Sequence, residues 1–297
     1  MIENVEQNRS TAGSSSLLAS RRILFVGGGN MAGAMINGLI ESGVSAAQIG
    51  AIEPVAGARQ ALKDKHGMAV FGDAADIEHE SRFDAIVLAV KPQQAGAALR
   101  ASQDLLRRNP QAVLISIAAG LGIELLTAMS GGHRRIIRAM PNTPSLIGEG
   151  IAGLYAPAGT EPQDHAMAQA ILASTGQVVT VEHEQLIDTV TAVSGSGPAY
   201  AFYLMEAMIE AGIAGGLDAG AARALAIHTV KGAALLALAS DEPPEILRAR
   251  VTSPAGTTAA AVAVLDQRQV KTSIGLAIRA AAARSQQLSE EAQASLR

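Results

Sequence analysis

The chain of 297 residues carries 23 basic and 27 acidic side chains, a net charge of −4, 48% hydrophobic residues, 2% aromatics and no cysteine. That length suits about two domains of roughly 150 residues, with cores built from Ala, Leu, Ile and Val because tryptophan is absent. Disulfides, thiolate metal sites and cysteine nucleophiles are excluded, and without a basic block no nucleic-acid or anionic-membrane surface is expected.

The first twenty residues, MIENVEQNRSTAGSSSLLAS, are polar and serine-rich. Only Leu17–Leu18 stand where a signal peptide needs an apolar core of about 7–15 residues, so residues 1–20 read as a flexible tail. The longest strictly apolar runs, Ala233–Ala239 and Ala259–Leu265, fall far short of the ~20 residues of a membrane span. A soluble, cytoplasmic protein is the expectation.

From Arg22 onward short β-rich runs alternate with helical patterns. The candidate strands are Ile23–Gly27, Ile49–Glu53, Ala85–Val90, Ala112–Ala118, Arg135–Met140 and Val178–Glu182. The central ones are apolar without alternation, as parallel strands covered on both faces are. Strand–helix–strand repetition implies a doubly wound α/β domain over residues 21–182. Beyond it the strand signal stops, and residues 183–297 read as an all-α domain. Its helix starts are Ser196-Gly197-Pro198, Asp218, Pro243-Pro244 and Ser253-Pro254, where proline fits a first turn. Such small-residue helices have wide apolar faces and little bulk, which suggests burial against a second copy.

Strand ILFV runs into GGGNMAGAMINGLI, giving Gly27-x-Gly29-x-x-Ala32. Gly27 suits the tight turn, Gly29 lets a pyrophosphate approach the backbone, and Ala32 lets helix press on strand. Asn30 and Met31 complete the candidate dinucleotide turn. Glu53 follows at the end of the second strand, about 20 residues on, where an acid bonds an adenosine ribose. A carboxylate there favours NADH, whereas nearby Arg59 would favour NADPH, and the sequence leaves the choice open. Two further strand-end loops, Val90-Lys91-Pro92 and Met140–Pro144, lie where open α/β sheets collect ligands, so Lys91 and Asn142 are candidate cofactor contacts.

The stretch RVTSPAGTTAAAVAVLDQ (Arg250–Gln267) holds no His, Lys or Cys. If Ser253 caps the helix and Pro254 is its first residue, amides near Gly256, Thr257 and Thr258 lack intrahelical partners and face a ligand with partial positive charge. That makes a carboxylate receptor without a cationic side chain. His228 and Lys231 share a face of an apolar helix and read as packing residues, as does Tyr200. The six histidines show no ligand spacing, so no metal is expected.

In order along the chain, GGGNMAGAMINGL, AVKPQ, SIAAGL, RAMPNTP, AVSGSGPAYAFYLMEAM and LRARVTSPAGTT resemble the pyrroline-5-carboxylate reductase family. The resemblance implies a Rossmann-type domain followed by a helical dimerisation domain, in homodimers that often assemble further into rings. It implies hydride transfer from NADPH or NADH to the cyclic imine of L-1-pyrroline-5-carboxylate, giving L-proline in the last step of its biosynthesis. It assigns the substrate carboxylate to Ser253, Gly256, Thr257 and Thr258, the imine nitrogen to Thr258, and cofactor contacts to Val90, Lys91 and Pro92. Ala255 stands where many relatives have Gly, a mild change at negative φ. Asp73 occupies the place of a frequent cofactor-contacting Asn, and either Asp241 or Glu242 matches an acid preceding the turn. The alternatives are a β-hydroxyacid dehydrogenase, for which Lys231-Gly232 is a weak catalytic candidate, and a non-catalytic nucleotide-binding protein.

Overall fold

The computed structural model describes residues 17–294. Their contacts divide the chain into two units, one formed by residues 17–195 with 281–294 and the other by 196–280.

The first unit is built on an eight-stranded sheet in the order β3-β2-β1-β4-β5-β6-β7-β8. Its strands are β1 (Ile23–Val26), β2 (Ile49–Ile52), β3 (Ala69–Phe71), β4 (Ala85–Leu88), β5 (Val113–Ser116), β6 (Ile136–Met140), β7 (Gly150–Tyr155) and β8 (Gly176–Thr180). Neighbours are parallel except β6 and β7. Both faces of the central strands are buried, which is why their sequences show no polar alternation. Ile23 and Phe25 of β1 join one core, Leu24 and Val26 the other, and β4 repeats the pattern with Ala85 and Val87 against Ile86 and Leu88.

On the first face pack α1 (Asn30–Glu41), α2 (Ala56–His66) and α6 (Pro162–Ala173), through Met35, Ile36, Leu39, Leu62, Met167 and Ile171. On the other pack α3 (Pro92–Ala101), α4 (Gln103–Arg108) and α5 (Ile123–Met129), through Leu99, Leu105, Leu106, Leu125 and Leu126. The expected strands are present, each trimmed or shifted by a residue or two. β3 and β7 had no counterpart in the sequence reading. Of the expected tail, residues 1–16 lie outside the described residues. Leu18, however, is 1% exposed in the first core, and the Gln48 side chain donates to the carbonyls of Ala19 and Arg21 at 3.0 Å each. Burial of one leucine and these backbone hydrogen bonds fix the stretch that leads into β1.

After the sheet come α7 (Leu186–Val190) and a π-helical turn over Thr191–Gly195. The π turn packs on the end of β6: a Cβ on Gly195 would lie 2.9 Å from Met140 Cε. The second unit holds α8 (Gly197–Ala214), α9 (Ala219–Leu238), α10 (Pro244–Arg250), α11 (Thr257–Gln267) and the first part of α12 (Val270–Ala294). Asp218 caps α9 by accepting from Ala221 N at 3.0 Å, as expected. Within the first unit, the later part of α12 packs on the sheet domain: Ser285 Oγ donates to Asp188 Oδ1 at 2.6 Å, and Ala292 joins the second core. Leu288 sits over Gly120, 3.5 Å from where a Cβ would be.

Among the described residues α9 is long and apolar enough to cross a membrane by length and composition, with mean hydropathy 1.3. The uninterrupted apolar runs missed it because Arg223, His228 and Lys231 break the stretch.

Candidate active site

The sheet reverses its strand order at β1, which is flanked by β2 and β4; ligands of open α/β sheets bind outside the carboxyl ends of strands at such a point. Gly27 lies there at φ 103°, its N–H donating to Ile52 O at 2.9 Å. A Cβ on it would stand 2.7 Å from both Ala89 O and Val90 Cγ1, so only glycine brings the β1 turn against the β4 turn. Gly29 is the N-cap of α1, with φ −70° and ψ −176° and no side chain capping the helix. A Cβ on Gly29 would meet no atom within 4 Å. The first-turn amides of Asn30, Met31 and Ala32 precede the first helical bond, from Gly33 N to Gly29 O, and have no intrahelical acceptor at the positive end of the helix. Asn30 is exposed, Met31 packs partly on the core and Ala32 is fully buried against the sheet. Across the crevice α3 begins in the same uncapped way, with exposed Lys91 as N-cap and Pro92 in its first turn. Two helix starts thus flank the reversal point, and the residues fit a dinucleotide pyrophosphate.

Glu53 extends β2 by one residue, its N–H donating to Phe71 O at 2.9 Å, and is 9% exposed. Its carboxylate accepts from Gly28 N at 3.1 Å and from Val55 N at 2.9 Å. Arg59 Nη1 donates to Glu53 O at 2.9 Å and Pro54 O at 2.7 Å. Asp73 caps a short 3-10 turn, accepting from Ala75 N at 2.9 Å. Asn142 is held by the fold's own hydrogen bonds. It is 8% exposed, accepts from Ile151 N at 2.9 Å and donates to Ser194 O at 3.2 Å, so it ties the end of β6 to β7 and the π turn.

In the second unit the turn at 253–258 departs from expectation. Ser253 does not cap the helix and Pro254 is not its first residue; Gly256 is the N-cap and α11 starts at Thr257. The cause is Ala255, whose φ of 59° breaks the helical path. That value also makes the Gly-to-Ala difference from relatives costly rather than mild, because a methyl group is strained in the left-handed region. Gly256 N is used within the turn, donating to Ser253 O at 3.1 Å, and the first helical bond runs from Ala260 N to Gly256 O. The amides of Thr257, Thr258 and Ala259 precede that bond and have no intrahelical acceptor. No side chain caps this helix either. Ser253 and Thr257 are exposed, and Gly256 and Thr258 half-buried. Of the two acids before the turn, Glu242 is held, its Oε1 2.5 Å from Arg250 Nη2, while Asp241 is exposed. His228 and Lys231 are exposed on α9.

A partly buried ion pair escaped the sequence reading. Arg138 of β6, 5% exposed, contacts Glu184 Oε1 at 2.8 Å, and the same oxygen accepts from Ile123 N at 2.7 Å. Partners so far apart in sequence leave no local pattern. Among the described residues no cluster of three or more His, Asp or Glu side chains could hold a metal ion.

Residues 184–288 match the family model "Pyrroline-5-carboxylate reductase dimerisation", and residues 22–120 match "NADP oxidoreductase coenzyme F420-dependent". The chain is 41% identical over 274 residues to the pyrroline-5-carboxylate reductase of Pseudomonas aeruginosa, covering 92% of this chain and 99% of that one. The chain belongs to the pyrroline-5-carboxylate reductase family. An Arabidopsis thaliana reductase of the family is 34% identical over 273 residues, covering 91% of this chain and 96% of the plant protein. The solved reductase from Coxiella burnetii superposes with a TM-score of 0.85 at 36% identity, covering 91% of this chain and 99% of that one. The Plasmodium falciparum enzyme, solved with NADP bound, gives 0.79 at 28% identity, covering 92% and 99%. The family thus accounts for a doubly wound domain and a helical domain in one chain.

Proposed function

We propose that this chain reduces L-1-pyrroline-5-carboxylate to L-proline with a hydride from NADPH or NADH, closing proline biosynthesis. The observation that carries the reading is the uncapped start of α11, where three free amides and the Thr258 hydroxyl stand together on a chain of this family. The amides of Thr257 and Thr258, with Ser253 and Gly256 shaping the turn, hold the substrate carboxylate. Thr258 bonds the ring nitrogen. A protonated cyclic imine already accepts hydride, so C5 gains the hydride and the nitrogen keeps its proton. The site then mainly has to hold C5 against the nicotinamide in near-attack geometry. A ketone reductase must protonate a developing alkoxide and needs a stronger acid in place. Gly27, Gly29, Asn30, Met31 and Ala32, with Glu53, Val90, Lys91 and Pro92, hold the dinucleotide, which supplies the hydride when bound.

The same reading makes the protein a cytoplasmic homodimer, with dimers able to close into a ring. Supporting the dimer, α8 has no buried residue and α9 only Ala222 and Ala226, while Tyr203, Leu236 and Leu238 are 75%, 67% and 82% exposed. The match of this region to a dimerisation model supports it further.

The test is steady-state reduction of pyrroline-5-carboxylate beside a panel of β-hydroxyacids, with the parent and Thr258→Ala. Loss of a hydrogen bond to a charged group, about 1.5–3 kcal/mol, lowers turnover roughly 10- to 150-fold. Cofactor affinity stays within about twofold, because the variant leaves the nucleotide contacts intact. Turnover equal to the parent removes Thr258 from the mechanism.

A further inference from the structure

The ion pair of Arg138 and Glu184 has no place in the reaction as described above, yet it ties three segments together. Along β6, Ile137 and Ala139 enter the first core and Ile136 the second, so strand alternation sends Arg138 to the second face. There its Nη1 donates to Glu184 Oε1 at 2.8 Å, and Ile123 N at the start of α5 donates to the same oxygen at 2.7 Å. Two donors match the two lone pairs of that oxygen. Gly122, the N-cap of α5, has no side chain to close the helix, and a Cβ on it would lie 3.3 Å from Glu184 Oε1. A carboxylate 61 residues away therefore serves as the cap. Arg138, with 6% of its side chain exposed, holds that carboxylate in place.

The three-way contact fixes the end of the loop 117–122, which runs from β5 to α5. The loop begins at Ile117, whose N–H donates to Leu88 O of β4 at 3.1 Å. It turns at Gly120, φ 73°, over Leu288, and ends on Glu184. With the glycine turn read as a dinucleotide site, the pyrophosphate lies where β1 meets β4 and the adenosine lies towards β2. The other half of the cofactor then runs over the carboxyl ends of β4 and β5, where this loop forms the wall.

We propose that Glu184, braced by Arg138, is a positioning residue for the nicotinamide: it pins the end of the β5 loop and acts on the ring through that loop. This rests on the dinucleotide reading and deepens it. The experiment titrates NADH and ADP-ribose, which lacks the nicotinamide, separately into the full-length protein by calorimetry. Turnover of pyrroline-5-carboxylate is measured beside it at saturating NADH. Arg138→Met combined with Glu184→Met removes both charges at once, an exchange that often leaves stability unchanged. It weakens NADH binding about tenfold or more while ADP-ribose stays within about twofold, and turnover falls at least about tenfold, as expected when a reacting ring is misplaced. Glu184→Gln keeps an acceptor oxygen for both donors and holds affinity and turnover within about threefold of the parent. Arg138→Met alone leaves only the part-exposed carboxylate unpaired, and it lowers the NADH-to-ADP-ribose affinity ratio about threefold or more, so it carries the test if the double variant does not fold.

An affinity ratio within about twofold of the parent, in whichever of these two variants folds, overturns the proposal, because a merely structural brace weakens both nucleotides alike. A Glu184→Gln protein as impaired as the double variant overturns it as well. If pyrroline-5-carboxylate is still reduced in those cases, only the positioning role falls. If the parent binds neither nucleotide and reduces nothing, the dinucleotide reading falls and this proposal with it.

Discussion

Two glycines of the same turn should respond to a single methyl group in opposite ways. At Gly29 the backbone angles, φ −70° and ψ −176°, suit alanine, and the new Cβ meets no protein atom within 4 Å. Alanine is a poorer N-cap than glycine by up to about 1 kcal/mol, but it restricts the unfolded chain by about 0.4–1 kcal/mol. Gly29→Ala should therefore melt within a few degrees of the parent. The methyl group instead enters the space that the free amides of α1 face. Displacing a pyrophosphate from one or two charge-assisted hydrogen bonds costs roughly 2–4 kcal/mol, or about 30- to 700-fold in cofactor Kd. At Gly27 the same substitution is strained at φ 103° and drives Cβ to 2.7 Å from Ala89 O. A fold cost of about 3 kcal/mol is expected, lowering the melting temperature by roughly 6–12 °C at ~2–4 °C per kcal/mol. Fluorescence titration with NADH and a thermal melt on each variant separate the two effects. Gly29→Ala binding cofactor within about threefold of the parent, a difference of only ~0.7 kcal/mol, would refute the placement of the pyrophosphate at α1.

Further measurements probe other parts of the molecule. Ala255→Gly relieves a left-handed methyl worth about 1–2 kcal/mol and loses about 0.4–1 kcal/mol through the freer unfolded chain. The urea midpoint should hold or rise, and a loss above about 1 kcal/mol would mean that the methyl group packs usefully. Burial pushes the His133 imidazole below its ordinary 6.5, more strongly than its bond to Ala112 O raises it. The folded state thus binds this proton less readily than the unfolded chain. Its contribution is fully present above about pH 6.5 and is lost as pH falls towards the folded value. Between pH 7 and 5 the melting temperature of His133→Gln should fall less steeply than that of the parent; parallel curves would refute the assignment.

The central strands were legible because β1, β4 and β5 sit between two cores, and burial on both faces writes unbroken apolar runs. β3 escaped notice at three residues on the sheet edge, and β7 because Gly150 and Gly153 dilute its strand signal. Proline at 254 was read as a first helical residue, yet the preference of proline for that position says nothing about Ala255, and alanine gives no warning of a positive φ. The position of Glu53 was readable from its distance to the glycine turn. Its orientation was not, since two backbone amides from separate segments decide it. The hydrogen bonds of Asn142 were hidden for the same reason: its partners, Ile151 and Ser194, come from elements whose meeting only the fold reveals.

The later part of α12 has a consequence for biosynthesis. Ser285 donates to Asp188, Leu288 lies on Gly120 and Ala292 packs against the second core. These residues are translated after the helices of 196–280, although they serve the sheet-bearing unit that was made first. A nascent chain emerging from the ribosome can therefore pair its strands early. It cannot shut the apolar flank beside α7 until residues 281–294 have left the tunnel, so that flank stays open to chaperones for the whole time the intervening helices are being made.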